Sequence, residues 1–418
     1  MEKTEMRKIA KQSICKRSRI FLAALSAMFF LGSCKGINEE PPVYREKERT
    51  LLIYMAANNN LASNAVDNIE QIKSGYIPSE EGNIVAYYHV QGENPLLLNI
   101  NNGADGTVQI DTAYRFPATN SATAASVVSA MKVTATLFPA KEYGLMLWSH
   151  GTGWLPAGYY SNNPERKSAG YDKYASLIKM DRSTGTIGNN TKSFGSEEGK
   201  EIDIMNLAKA LPYKVSFILF DACLMGGIEV AYELKESTDY ILACPTEILA
   251  AGFPYSKIMQ HIFKSQADLA AVAEEVYEYY AYSTYPCVTI SLIKTSELEK
   301  VAEAAKPLFN TYREKISTMN ISAVQRYYRN NKHWFYDLGS FMTELAGEEA
   351  TPFLSALDNA IIYKATTEYF LELPIDKNKF YGINTYIPFY PEETLQSYYT
   401  SFKWNRDAGM IQTEGETE

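Results

Sequence analysis

The chain is 418 residues long, and 49 acidic against 40 basic side chains give it a formal charge of −9. Nucleic-acid backbones are gripped through basic patches, which nothing here supplies, so nucleic acid is a poor partner. Five cysteines without a C-x-x-C pair, beside only four histidines, also lack the ligand spacing of a zinc site.

In chain order, Lys3, Arg7, Lys8, Lys11, Lys16, Arg17 and Arg19 precede the apolar run "IFLAALSAMFFLG" from Ile20 to Gly32. That run is too short to span a membrane but suits a secretory signal. It ends in "LGSC", Leu31 to Cys34, which resembles a bacterial lipobox and implies removal of residues 1–33 and a lipid on Cys34. An ordinary signal with an incidental cysteine is the other reading. Cleavage there takes away seven basic and two acidic side chains, so the formal charge goes from −9 to −14. Residues 34–48, with "KGINEEPP" from Lys35, read as a flexible tether. The expectation is an exported protein, lipid-anchored to a bacterial membrane, facing either the periplasm or the surface. Cys15 leaves with the signal and Cys34 carries lipid. Cys223, Cys244 and Cys287 remain, and an odd number leaves at least one thiol unpaired.

The mature part opens with "TLLIYMAA" from Thr50, a strand apolar on both faces. Leu61, Ala65, Ile69 and Ile72 then fall at helical spacing, with Asn58 to Asn60 available as caps and Gly75 as a stop. "NIVAYYHV" from Asn83 is a second strand. Val127, Val128, Met131 and Leu137 mark a helix before Pro139. "YGLMLWS" from Tyr143, "VSFILFDA" from Val215 and "YILACP" from Tyr240 complete the buried strands, with a helix expected just after Cys223. Strands alternating with helices imply an α/β three-layer sandwich around a mostly parallel sheet. Residues 155–200, rich in Gly, Ser, Asn and charge, interrupt this rhythm as a long connection. Beyond it, "ADLAAVAEEVYEYYAY" from Ala267 and "SELEKVAEAAKPLF" from Ser296 read as helices. "CVTISLI" from Cys287 reads as a strand, and "FYGINTYIPFYP" from Phe380 as strand then turn. Residues 49–260 therefore form the expected core and 261–418 a helical, tyrosine-rich extension. The 31 tyrosines have no functional reading from sequence.

Two strand ends carry possible chemistry. "LMLWSHGTGW", Leu145 to Trp154, stops a buried strand on His150 and a glycine-rich turn. "FILFDACLMGGIEV" from Phe217 delivers Asp221 and Cys223 to another strand end, with a helix following that would favour a thiolate at its N-terminus. A buried cysteine alone reads as a small hydrophobe. Adjacent parallel strands would bring imidazole and thiol together, as a cysteine nucleophile and its proton partner require. His89 reads as facing a sheet surface, His261 as lying on a helix and His333 in an aromatic loop. Cys244 and Cys287 read as core residues in strands.

"WSHGTGW" and "FDACLMGGIEVAYEL" resemble the two catalytic segments of the clostripain-like cysteine peptidases, relatives of caspases, gingipains and legumain. "LLIYMAANNNL", "FPYSKIM", "TISLIKTSELEKV" and "YGINTYIPFY" extend that resemblance over roughly residues 49–404. It implies a caspase-like fold, a monomer, protein or peptide substrates and cleavage after Arg or Lys at P1. His150 and Cys223 are the implied dyad, with the N–H groups of Gly151 and Cys223 meeting the oxyanion. Asp221 is implied in the S1 pocket, in preference to the helix cap that its residue type also suggests; Glu247 is a second S1 candidate, reading equally as part of a solvated loop. The resemblance further implies self-cleavage between the His and Cys segments, with Arg166 and Lys167 in "PERKS" as first candidates. A catalytically inactive surface-binding lipoprotein on the same fold is the rival. No D-x-D-x-D-G loop is present, so calcium, which some relatives use, stays unassigned and no cofactor is expected.

Overall fold

The computed structural model describes residues 45–159, 196–197, 200–328 and 333–412. The expected signal (1–33), Cys34, most of the tether, and Arg166 and Lys167 lie outside the described residues. No helix among the described residues is long and apolar enough to cross a membrane.

The core is one nine-stranded sheet. Its strands are β1 (Lys47–Ala57), β2 (Gly82–Val90), β3 (Leu96–Asn102), β4 (Val108–Arg115), β5 (Ala140–Trp148), β6 (Val215–Asp221), β7 (Thr238–Ala243), β8 (Thr289–Lys294) and β9 (Ile361–Thr366). Their order is β9-β8-β7-β6-β5-β1-β2-β3-β4. The five central strands, β7 to β2, run parallel, and both flanks are antiparallel. The sheet is therefore mixed, with the expected parallel arrangement at its centre. β1 and β6 are buried along almost their whole length and β5 from Gly144 to Trp148, as strands covered on both faces must be.

Three helices, α1 (Ala62–Ser74), α5 (Tyr255–Ile262) and α6 (Leu269–Ala281), pack together in one layer. The other layer is built from α2 (Ala124–Leu137), α3 (Ile204–Ala210), α4 (Ile228–Leu234), α7 (Leu298–Tyr312), α9 (Thr351–Ala360) and α11 (Lys403–Ala408). Between α7 and α9 lies α8 (Leu338–Ala346), and α10 (Glu393–Tyr399) precedes α11. Thr123 caps α2 by accepting from the Ser126 N–H, and Asp268 caps α6 through Ala271. The C-terminal segment supplies β8 and β9 to the same sheet.

Part of the tyrosine excess goes into the core. Tyr54, Tyr87, Tyr232, Tyr255, Tyr327, Tyr336, Tyr386 and Tyr399 are fully buried, and several give their hydroxyls to acids. Tyr255 donates to Asp221, Tyr327 to Asp337, Tyr399 to Glu229 and Tyr232 to Asp407. A buried acid needs a donor, and a phenol supplies one with its own apolar packing attached.

Several expectations change. Asn58 to Asn60 do not cap α1: its N-cap position is Leu61, with no side-chain cap bond. The helix after Cys223 starts only at Ile228, so the thiol is not at its N-terminus. Asp221 does not cap that helix either, because its carboxylate is spent on Phe253 and Tyr255. Cys244 and Cys287 are buried, but each lies just outside a strand. "FYGINTYIPFYP" supplies only the two-residue strand Asn384–Thr385, paired with Tyr336–Asp337.

Candidate active site

Strand register builds the site. Across parallel β5 and β6, Trp148 pairs with Asp221. His150 and Cys223 each follow two residues later, so both emerge level at the carboxyl end of the sheet, where open α/β sheets gather ligands. On the other side of β5, Met55 of β1 pairs with Trp148, which brings Asn58 to Asn60 to the same rim. Beyond β6, Leu219 pairs with Leu242 of β7, so the loop from Cys244 to Phe253 arrives there too. Four adjacent strands thus deliver Asn60, His150, Cys223 and Ile248 to one edge.

His150 and Cys223 are both half-buried. The imidazole is held by Asn60, whose Oδ1 lies 2.8 Å from His150 Nε2. Below it, Ser149 Oγ donates to the Ala56 carbonyl at 3.0 Å and ties β5 to β1. The Cys223 thiol contacts the Ile248 backbone, accepting from its N–H at 3.4 Å and reaching its carbonyl at 3.6 Å. Ile248 thus offers the sulfur a backbone donor and a backbone acceptor together. That donor lies on the loop after β7 rather than at the helix N-terminus expected from the sequence.

The turn after the thiol is tightly fixed. Leu224 has φ 62°, a left-handed conformation that bulky residues adopt only when their surroundings impose it. Its N–H donates to the Thr246 carbonyl at 2.8 Å, and Gly226 N–H donates to the Cys244 carbonyl at 3.0 Å. Gly151 packs directly on this turn. A Cβ at Gly151 would fall on the Cys223 carbonyl oxygen and 2.9 Å from its nitrogen. Glycine is required here for close backbone approach.

Asp221 is buried beneath the site, and its Oδ2 accepts from Phe253 N–H at 3.0 Å and Tyr255 Oη–H at 2.7 Å. Burial pushes its pKa up to about 6, against the lowering pull of those two donors. Among the described residues no lysine or arginine pairs with it. Gly252, at φ 71°, closes over the carboxylate, where a Cβ would lie 2.5 Å from Oδ2. Glu247 sits half-buried on the same loop.

Of the remaining histidines, His261 lies on α5 and His333 sits among aromatic rings, as expected. His89 does not face a surface. It is 4% exposed, with Nδ1 2.7 Å from Ser121 Oγ, and Ser121 in turn donates through both Oγ and N–H to Glu197. Burial lowers the His89 pKa despite the nearby carboxylate. Asn58 Nδ2 donates to the other Glu197 oxygen at 2.7 Å. Sequence reading missed both this cluster and the Asn60 contact. Among the described residues, no three His, Cys, Asp or Glu side chains gather as a metal site.

Known proteins fit this geometry. A family model described as the clostripain family matches residues 53–416. The chain belongs to the clostripain family. It is similar to an inactive zymogen C11 protease of Parabacteroides distasonis, with 32% identity, 88% of this chain and 99% of that one covered, and a TM-score of 0.73. It is also similar to a secreted C11 cysteine protease of Bacteroides thetaiotaomicron in complex with an irreversible peptide inhibitor, at 25% identity and TM-score 0.69, covering 87% of this chain and all of that one. Clostripain of Hathewaya histolytica is 24% identical over 248 residues, 52% of this chain and 43% of that protein. The match thus spans less than half the length of that curated relative.

Proposed function

We propose that this clostripain-family member is a cysteine endopeptidase in which His150 and Cys223 act as the dyad. The observation that carries the reading is the β5–β6 register, which sets imidazole and thiol level at one strand edge. In the proposed cycle, the Cys223 thiol gives its proton to His150 and the thiolate adds to the scissile carbonyl. The N–H groups of Gly151 and Cys223 receive the oxyanion. The C–N bond then breaks, the amine leaves with the proton held by His150, and a thioester remains. Water, deprotonated by His150, hydrolyses that thioester and returns the thiol.

Specificity for Arg or Lys at P1 is part of the proposal, with Asp221 as the S1 carboxylate. Its burial, with no basic partner among the described residues, supports this role, because a desolvated anion favours a substrate that brings a cation. Glu247, on the loop beside it, is proposed as the second S1 residue. The protein is further proposed to be exported, anchored through lipid on Cys34, and activated by cleavage at Arg166 or Lys167. The name of the Parabacteroides relative, a zymogen, supports a processing step.

The test is cleavage of peptides with Arg, Lys, Asp or Ala at P1 by wild type, Cys223→Ala and His150→Ala. Turnover after Arg and Lys that disappears in both variants is the expected result. Turnover surviving in either variant overturns the dyad. The wild type should also partition with membranes and purify as two associated fragments. Cys34→Ser should release the protein from membranes or leave residues 1–33 uncleaved, and Cys223→Ala should remain one intact chain.

A further inference from the structure

Three consecutive asparagines follow β1, and none caps the helix they precede. Each is committed elsewhere. Asn58 Nδ2 donates to buried Glu197 at 2.7 Å. Asn59 closes the turn on itself, donating to the Ala56 carbonyl at 3.1 Å and accepting from Leu61 N–H at 2.9 Å. Asn60 turns its Oδ1 to His150 Nε2 at 2.8 Å.

An amide oxygen accepts and cannot donate, so Nε2 carries the proton in this contact. A neutral imidazole protonated at Nε2 has its lone pair on Nδ1. When the ring takes up a second proton, the Nε2–H bond to Oδ1 becomes charge-assisted and strengthens. The contact therefore does two things: it selects the tautomer with Nδ1 as base, and it favours the imidazolium form.

We propose that Asn60 is a positioning residue, holding His150 with Nε2–H so that Nδ1 accepts the Cys223 proton, and that Glu197 steadies Asn60 by binding Asn58. The inference rests on the His150–Cys223 reading above. In its terms, the S–H bond breaks and an Nδ1–H bond forms while Nε2–H is untouched throughout. The same Nδ1 proton then passes to the leaving amine. Glu197 suits the anchoring task because it is itself fixed by the Ser121 N–H and hydroxyl and packed beside His89. An anchored loop presents Asn60 in one geometry, although Asn60 itself is exposed.

The test compares wild type with Asn60→Ala, Asn60→Asp and His150→Ala, measuring kcat and KM across pH on a peptide with Arg at P1. Alkylation of Cys223 by iodoacetamide across pH is followed in parallel. Because Asn60 is exposed, folding should survive each change at this position. Asn60→Ala should lower kcat about tenfold or more with KM little changed, as loss of a charge-assisted bond dictates. Its acidic limb should move to lower pH, since the imidazolium loses an acceptor and the neutral base persists further down. Asn60→Asp should recover turnover and move that limb to higher pH, since a carboxylate holds the imidazolium more strongly. If His150→Ala is inactive while both Asn60 variants keep wild-type kcat and unshifted limbs, Asn60 is a surface contact and the inference is wrong. If His150→Ala stays active, the dyad reading itself has failed. Those two failures are separable.

Discussion

Tyr255 gives its hydroxyl to Asp221 at 2.7 Å, and that bond holds a carboxylate under the sheet's carboxyl edge with a neutral partner. A carboxylate paired with arginine or lysine would be electrostatically satisfied and of little use to a cationic substrate. Tyr255 and the Phe253 N–H hold Asp221 in place, and among the described residues no lysine or arginine compensates its charge.

Asp221→Asn tests this directly. The amide oxygen can accept from both Phe253 and Tyr255, so the local structure should survive. Cleavage after Arg and Lys should fall by about a hundredfold or more, while alkylation of Cys223 by a small neutral reagent should change little. Equal loss in both assays would make Asp221 a structural residue. Its pH dependence has a definite sign. Burial raises this carboxyl from 3.8 to about 6, so the folded protein holds the proton more tightly than the unfolded chain. Its contribution to stability is full below the unfolded value and is lost as pH rises through about 6, a penalty on the order of 2–3 kcal/mol. Asp221→Asn should therefore melt no lower, and possession of the charge should cost the wild type stability at pH 7. Activity toward basic peptides should instead fall as pH drops through 6.

His89 acts in the opposite direction. Burial lowers its pKa, so the folded protein holds that proton less tightly than the unfolded chain. Its neutral form supports the fold above the unfolded value of about 6.5, and that support is lost as pH falls below it. His89→Gln should flatten the decline of melting temperature between pH 7 and 5. A decline as steep as the wild type's would place the acid sensitivity elsewhere.

Gly151→Ala should be among the most damaging single-methyl changes. The added carbon meets the backbone of Cys223, which has no rotamer to change, so the thiol turn must move. Turnover should fall at least about a hundredfold, because sub-ångström displacement of a nucleophile is costly. Near-normal turnover would mean that the two turns separate easily.

What the sequence disclosed, and what it hid, divides along physical lines. The runs ending at His150 and Cys223 were legible because a buried parallel strand that stops on a reactive polar side chain delivers it to the sheet's carboxyl edge. The central parallel strands were legible from the same unbroken apolar runs. Strand β3 and the edge strand β4 escaped: β4 alternates weakly and is largely exposed, so its residues resemble a polar loop. Strand β9 follows α9 without an intervening turn, and no glycine or proline marks the change. His89 was misread because its partners Ser121 and Glu197 lie far along the chain and meet only in the fold. Asn60 was hidden differently. Asparagine before a helix ordinarily means a cap, and only the β1–β5 register reveals another use.

The last prediction concerns Asn384, which the C-terminal segment inserts beside the turn that follows Cys223. Its N–H donates to the Gly226 carbonyl at 2.8 Å, and its Nδ2 donates to the carbonyls of Pro245 at 2.8 Å and Leu224 at 3.3 Å. The residue is fully buried, so those carbonyls have no water to turn to if the amide goes. Leu224 and Pro245 belong to the two loops that define the thiol's surroundings, and Asn384 spans both. Asn384→Ala keeps the backbone bond to Gly226 but removes the side-chain clamp. It should destabilise the protein by about 2 kcal/mol, read as a lower urea midpoint with unchanged slope. Turnover should fall further than stability alone explains, since Leu224 would lose one of the contacts holding its left-handed backbone. Alkylation of Cys223 should become less uniform in rate as the turn loosens. A chain ending at residue 260 would lack Asn384 together with β8 and β9, and should be inactive even if the remainder is expressed. Full activity in Asn384→Ala, measured well below its melting temperature, would show that the C-terminal segment braces the fold without shaping the site.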